Sequence, residues 1–132
     1  EKAILRGGNL TGANLEGARL DEAVFHDANL ENANMLSSSA YQADFTGANL
    51  TGVVIDYADA EEAIFDGADL SGASLGTTIL VNASLRGANL TDADLTSADL
   101  TGADMEGVIL DGAIFCRTTM PDGSTNDADC LD

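Results

Sequence analysis

Basic residues are scarce in this chain. Five Lys or Arg stand against 23 Asp or Glu in 132 residues, for a net charge of -18 and a pI near 4.1. Nucleic acid and anionic membranes are themselves negative, so direct binding to either is not expected. Such a surface favours solubility, attraction of cations, or docking to a basic partner. No apolar run approaches a membrane span, and no basic-then-apolar leader is present. The repeat is already running at Ala3, as expected of a chain whose targeting peptide has been removed.

Histidine occurs once and cysteine twice. Two thiolates and one distant His26 do not make a tetrahedral set, so no zinc site is expected. The neighbours expected for His26 are Arg6, Thr46 and Asp27, which is no nucleophile–base–orienter arrangement. It reads as a solvated surface histidine. The glycines are spread along the chain and make no phosphate loop. Catalytic residues and cofactors are therefore expected to be absent, and the chain is not expected to be an enzyme. Acidic composition also raises the question of disorder. Against that, 45% of the residues are hydrophobic, and they are placed with strict regularity.

From Ala3 to Asp122 the sequence divides into 24 pentapeptides without an insertion. Each central residue falls at a multiple of five, from Leu5 to Met120: fourteen Leu, four Phe, three Met, one Ile and two Ala. Ala stands two places before the centre in eighteen of the 24 units. In a strand, centres five apart would alternate between faces. In an α-helix, a step of five rotates by about 140°, and the centres would spiral around every side. A backbone that turns by about a right angle every five residues points all centres inward and closes a square coil in four units. The Ala fills a cramped position near the corner. Gly, Asn, Asp and Ser recur two places after the centre, where a tight or left-handed turn is needed.

Four units per coil require residues twenty apart to stack. Phe25, Phe45 and Phe65 recur at that interval, as do the undersized centres Ala40 and Ala60. A ring beside a small side chain holds the coil volume roughly constant. Outside, Asn9, Asn29, Asn49 and Asn89 share a column, interrupted by Asp69, and are expected to form an amide ladder.

Runs such as Ala88-Asn89-Leu90-Thr91-Asp92, Ala93-Asp94-Leu95-Thr96-Ser97 and Ala98-Asp99-Leu100-Thr101-Gly102 resemble the A(D/N)LXX motif of the pentapeptide-repeat family. The resemblance covers about nine-tenths of the chain. It implies an all-β, right-handed quadrilateral β-helix of about six coils, roughly 29 Å tall at 4.8 Å per coil. The solenoid is expected over residues 1–122, with 123–132 as a capping tail. The segment from Phe115 through Cys130 resembles the end of secreted family members from cyanobacteria and plant chloroplasts, which implies the periplasm or the thylakoid lumen. The family's roles are several. Some relatives resemble duplex DNA in width and charge and act on DNA gyrase.

Pro121-Asp122-Gly123 reads as a turn leaving the solenoid. A Cys116–Cys130 disulfide would close a loop of about 15 residues, contribute about 3 kcal/mol, and fold the tail over the open end of the core. It fits an oxidising compartment. The other reading is two unpaired thiols in a reducing one. Among the four faces, the most acidic carries Asp21, Glu22, Asp59, Glu61, Glu62 and Asp99, with Asp122 also assigned to it and Arg19 offsetting them. Beside a pocket such carboxylates could act as an acid–base pair; on a convex rod they read as a solvated or docking face. Apolar residues are expected outside as well, with Ile4, Val24 and Ile64 in one column. Two functions follow: a protein-binding or scaffold module whose partner is a protein, or an acidic DNA mimic.

Overall fold

The computed structural model describes residues 2–131. Parallel bridges join residues twenty apart from Ile4↔Val24 to Asp99↔Thr119. Four pentapeptides therefore make one turn, and the bridging residues line up as the flat rows of four faces. The first face carries Ile4, Val24, Asp44, Ile64, Ser84 and Asp104; the second Asn9, Asn29, Asn49, Asp69, Asn89 and Ile109. The third carries Asn14, Asn34, Val54, Ser74, Asp94 and Ile114; the fourth Arg19, Ser39, Asp59, Ile79, Asp99 and Thr119. Regular strand is sparse, because a leg that turns every five residues pairs through one residue at a time. Among the described residues the two strands are β1 (Thr118–Thr119) and β2 (Thr125–Asn126).

The centres fill the shaft. Phe45, Leu90 and Leu95 are fully buried, and the rings of Phe25, Phe45 and Phe65 stack in one column. Ala40 and Ala60 offset Phe25 and Phe45 in their turns, whereas the turn of Phe65 carries Leu80 instead. A void of about 10 Å³ remains among Met35, Ala40, Phe45, Ile55, Ala60 and Phe65. Its lining is wholly apolar, so the void stays dry. The apolar column expected on the first face holds at Ile4 and Ile64, but Val24 is only 7% exposed.

Of the five N–H groups in an interior pentapeptide, the repeat gives four a backbone acceptor. The residue two before a centre donates to the previous centre's carbonyl, as Ala13 does to Leu10, closing the corner turn. The centre and the second residue after it donate to the next turn, as Leu10 does to Asn29 and Gly12 to Glu31. The residue before a centre donates to the turn behind, as Asn29 does to Gly8. The fifth N–H, just after the centre, has no backbone partner. Asn or Asp before the centre supplies one through its own Oδ1, as Asn89 does for Thr91 N–H at 3.0 Å. Every Asn and Asp in the flat rows does this, from Asn9 to Asp104. The expected amide ladder is thereby reduced to one rung, Asn49 Nδ2 to Asn29 Oδ1 at 3.2 Å. The side-chain oxygens are directed to their own corners first.

The corner turn places its third residue at positive φ, the conformation that favours glycine. Twelve non-glycine residues adopt it too, including Glu22, Gln42, Tyr57, Glu62 and the β-branched Thr77 at φ 55. Ladder bonds on either side hold these corners in register whatever side chain they carry.

The tail closes one part of the C-terminal end. β2 pairs antiparallel with β1, and Cys116 and Cys130 are joined with their Cα atoms 4.6 Å apart. Asp129 Oδ2, Asp127 Oδ1 and the Ser124 carbonyl accept the N–H groups of Phe115, Arg117 and Met120. These are acceptors that a further turn would have supplied. Covering of the open end is narrower than expected: Met105 and Leu110 stay half-buried, because the hairpin runs along the last two legs rather than across the shaft.

Candidate functional site

The six carboxylates expected to form a docking face do gather around the fourth face. Asp59 and Asp99 stand in its flat row. Asp21, Glu22, Glu61 and Glu62 stand at the corner where it meets the first face, with Asp21 and Glu61 two turns apart and Tyr41 on the turn between them. Their chemistry is unequal. Asp59 and Asp99 cap their own corners, accepting the N–H of Glu61 and of Thr101. Asp21 Oδ1 accepts Tyr41 N–H at 3.0 Å and the Ser39 hydroxyl. Glu62 accepts Gln42 Nε2 at 2.7 Å. The carboxylates of Glu22 and Glu61 have no hydrogen-bond or ion-pair partner among the described residues. Half of the expected face is thus occupied with holding the backbone, a role that net charge alone does not reveal.

Tyr41 lies among these groups. The Glu62 carboxylate, then desolvation, then Glu61, Glu22 and Asp59, hold its hydroxyl above the ordinary phenol range. A negative potential strong enough to resist a phenolate attracts cations. Tyr57, 66% exposed, occupies the opposite corner of the same face. Both tyrosines of the chain therefore border the acidic face, and Ile79, 42% exposed, sits in the flat row between those corners.

His26 is placed on open surface, with Nδ1 3.1 Å from Asp27 Oδ2. Asp44 stands near it in the first face. Partial burial opposes its charge, but hydrogen bonds from Thr46 and the charges of His26 and Arg6 lower its pKa overall. Arg86 pairs with Asp104 at 3.4 Å and Glu106 at 3.0 Å. Among the described residues no group of three or more His, Cys, Asp or Glu could hold a metal ion. A shallow groove beside the disulfide is lined by Thr96, Ile114, Cys116, Arg117, Asp129 and Leu131. The shaft void is sealed from solvent by its own lining. Among the described residues no helix is long and apolar enough to cross a membrane.

Eight copies of the model for pentapeptide repeats match residues 2–35, 43–80 and 78–117. The chain belongs to the pentapeptide repeat family. Its members form right-handed quadrilateral β-helices and are generally structural or binding modules. Among solved structures, it is similar to HetL of the cyanobacterium Nostoc sp. strain PCC 7120, a pentapeptide repeat protein involved in heterocyst differentiation regulation. The two are 35% identical over 95% of this chain and 67% of HetL, with a TM-score of 0.52. A second pentapeptide repeat protein of Nostoc PCC 7120 is 39% identical over 57% of this chain and 62% of its own length, with a TM-score of 0.56. The chain thus spans about two thirds of these relatives. Among curated proteins none matches.

Proposed function

We propose that this pentapeptide repeat protein is a non-catalytic binding or scaffold module of the thylakoid lumen or periplasm, whose fourth face docks a protein with a basic surface. The solenoid of residues 1–122 supplies a rigid rod of about six coils and roughly 29 Å, and the tail of 123–132 closes its end. The observation that carries the reading is the pair Glu22 and Glu61, whose carboxylates have no partner among the described residues, on a face whose other four carboxylates are engaged in hydrogen bonds. Unpaired charge carried on a rigid backbone offers complementarity without rearrangement of the fold. The Cys116–Cys130 disulfide supports an oxidising compartment.

Crosslinking in the fractionated source cell, followed by capture with the intact chain and with a Glu22→Lys/Glu61→Lys variant, tests both halves. A lumenal or periplasmic partner retained by the first and lost by the second is the expected result. A partner retained equally by both removes the docking face, and a purely cytosolic location removes the compartment.

The charge also favours a second reading, an acidic DNA mimic acting on DNA gyrase or another DNA-binding protein. Duplex DNA carries one charge per about 1.7 Å, so a rod of roughly 29 Å matches it with about 17 charges, close to the -18 here. Duplex DNA spreads its charge around the rod, whereas the acidic residues here gather most densely about one face, which favours the first reading. Dose-dependent inhibition of gyrase supercoiling at physiological salt would reverse that order.

A further inference from the structure

Tyr41 and Tyr57 frame the fourth face from opposite corners. The chain has two tyrosines and no tryptophan, so every aromatic ring outside the shaft stands beside this one surface. Tyr57 is two-thirds exposed although its backbone is held at φ 61. A bulky residue gains nothing for the fold in that conformation, where glycine serves the repeat in eleven other corners. Asp56 precedes Tyr57, and Glu61 follows Tyr41 one turn along the same column. Tyr41 thus stands among open carboxylates, while at the other corner Asp56 turns inward, one of its oxygens buried without a hydrogen-bond partner; Ser39, Asp59 and Ile79 of the flat row lie between the corners.

We infer that this face selects arginine over lysine, with an arginine-rich extended segment of a protein crossing it from the Tyr57 corner to the Tyr41 corner. The inference rests on the docking reading above and names the chemistry of the partner. Charge complementarity excludes nucleic acid, an anionic lipid surface and a second copy of the same face, all of which are negative. Between the two basic side chains, the rings decide. A guanidinium stacks flat on a tyrosine while its fork reaches a carboxylate alongside; an ammonium is a hydrated point charge without that dual fit. Ile79 packs against the aliphatic stem in either case.

The test compares a short arginine-rich peptide with its lysine-for-arginine counterpart by fluorescence anisotropy at low and at physiological salt. The protein is the intact chain and a Tyr41→Leu/Tyr57→Leu variant, which keeps side-chain bulk and the corner geometry. Circular dichroism and the melting temperature confirm that the variant is folded. The arginine peptide is expected to bind the intact chain about fivefold or more tighter than the lysine peptide, and the variant to bring the two together. Equal binding of both peptides, unchanged by the leucines but lost in Glu22→Gln/Glu61→Gln, overturns the arginine selectivity and leaves the acidic docking face standing. No binding of either peptide even at low salt overturns both.

Discussion

The rings of Phe25 and Phe45 lie within 1° of parallel with their centroids 4.9 Å apart, and Phe65 extends the stack at the same spacing. Neighbouring turns set that distance, so the stack is a consequence of the twenty-residue register. Phe45 has a ring on both sides and also lines the dry void beside Ala40 and Ala60. Phe45→Ala enlarges that void and is expected to cost about 3–5 kcal/mol. Phe45→Leu places the repeat's commonest centre there and should cost clearly less. Urea unfolding of both variants checks the order. Equal midpoints would mean that the column contributes nothing beyond its presence.

The register was legible because it needs only one side-chain class at one period. Phe25, Phe45 and Phe65 announce the stack from sequence, and their burial follows. The role of Asn and Asp before each centre was not legible in the same way. Asn9, Asn29 and Asn49 line up in a column, which points to a ladder between turns. A column cannot show that each oxygen lies closer to the N–H of its own corner. The candidate face has the same history: Asp21, Asp59 and Glu61 are alike in charge, and only hydrogen-bond geometry separates the two that hold the backbone from the one that faces outward. The face that Tyr41 and Tyr57 share emerges only when corners are assigned to faces.

The corner-capping role gives a second prediction. Asn89→Asp keeps an acceptor at Oδ1, as Asp69 and Asp94 do on equivalent legs, and should leave stability nearly unchanged. Asn89→Ala strands the Thr91 N–H and should cost about 1 kcal/mol. Hydrogen exchange at Thr91 should accelerate in the alanine variant alone. Matching exchange in both variants would remove the capping assignment.

Asp44 makes the third prediction, through pH. Its folded pKa lies below the ordinary carboxylate value because Thr46, His26 and Arg6 favour the charged form over the opposing burial. The stability it contributes is fully present above the unfolded pKa and is lost as pH falls through the folded one. Asp44→Asn retains the Oδ1 acceptor for Thr46 but does not titrate. Urea midpoints measured from neutral pH down through the carboxylate range should therefore fall more steeply for the unmodified chain. Parallel curves would show that Asp44 gains no charge-dependent support.

Reduction of the disulfide supplies the fourth. Cys116 and Cys130 are fourteen residues apart, and opening a loop of about 15 residues should lower stability by about 3 kcal/mol. The loss should be local first. Amides of Phe115, Arg117 and Met120, which donate to the tail, should exchange faster in a Cys116→Ser/Cys130→Ser variant, while those of Phe45 and Leu90 stay protected. Uniform acceleration along the shaft would mean that the hairpin sets the stability of the whole array.

Tyr41 provides a direct measure of the potential over the fourth face. In a Tyr57→Phe background one phenol remains, and its ionisation can be followed by phenolate absorbance. The midpoint should lie above the ordinary phenol value, since Glu62, Glu61, Glu22 and Asp59 all oppose a second negative charge beside them. Glu62→Gln should lower it most, with Glu61→Gln and Glu22→Gln following in that order. Added salt should lower it as well, because Tyr41 is exposed and its carboxylate neighbours are screened by mobile ions. A midpoint at the ordinary value, indifferent to salt and to all three substitutions, would mean that these carboxylates do not converge on the ring, and the docking face would lose its physical basis.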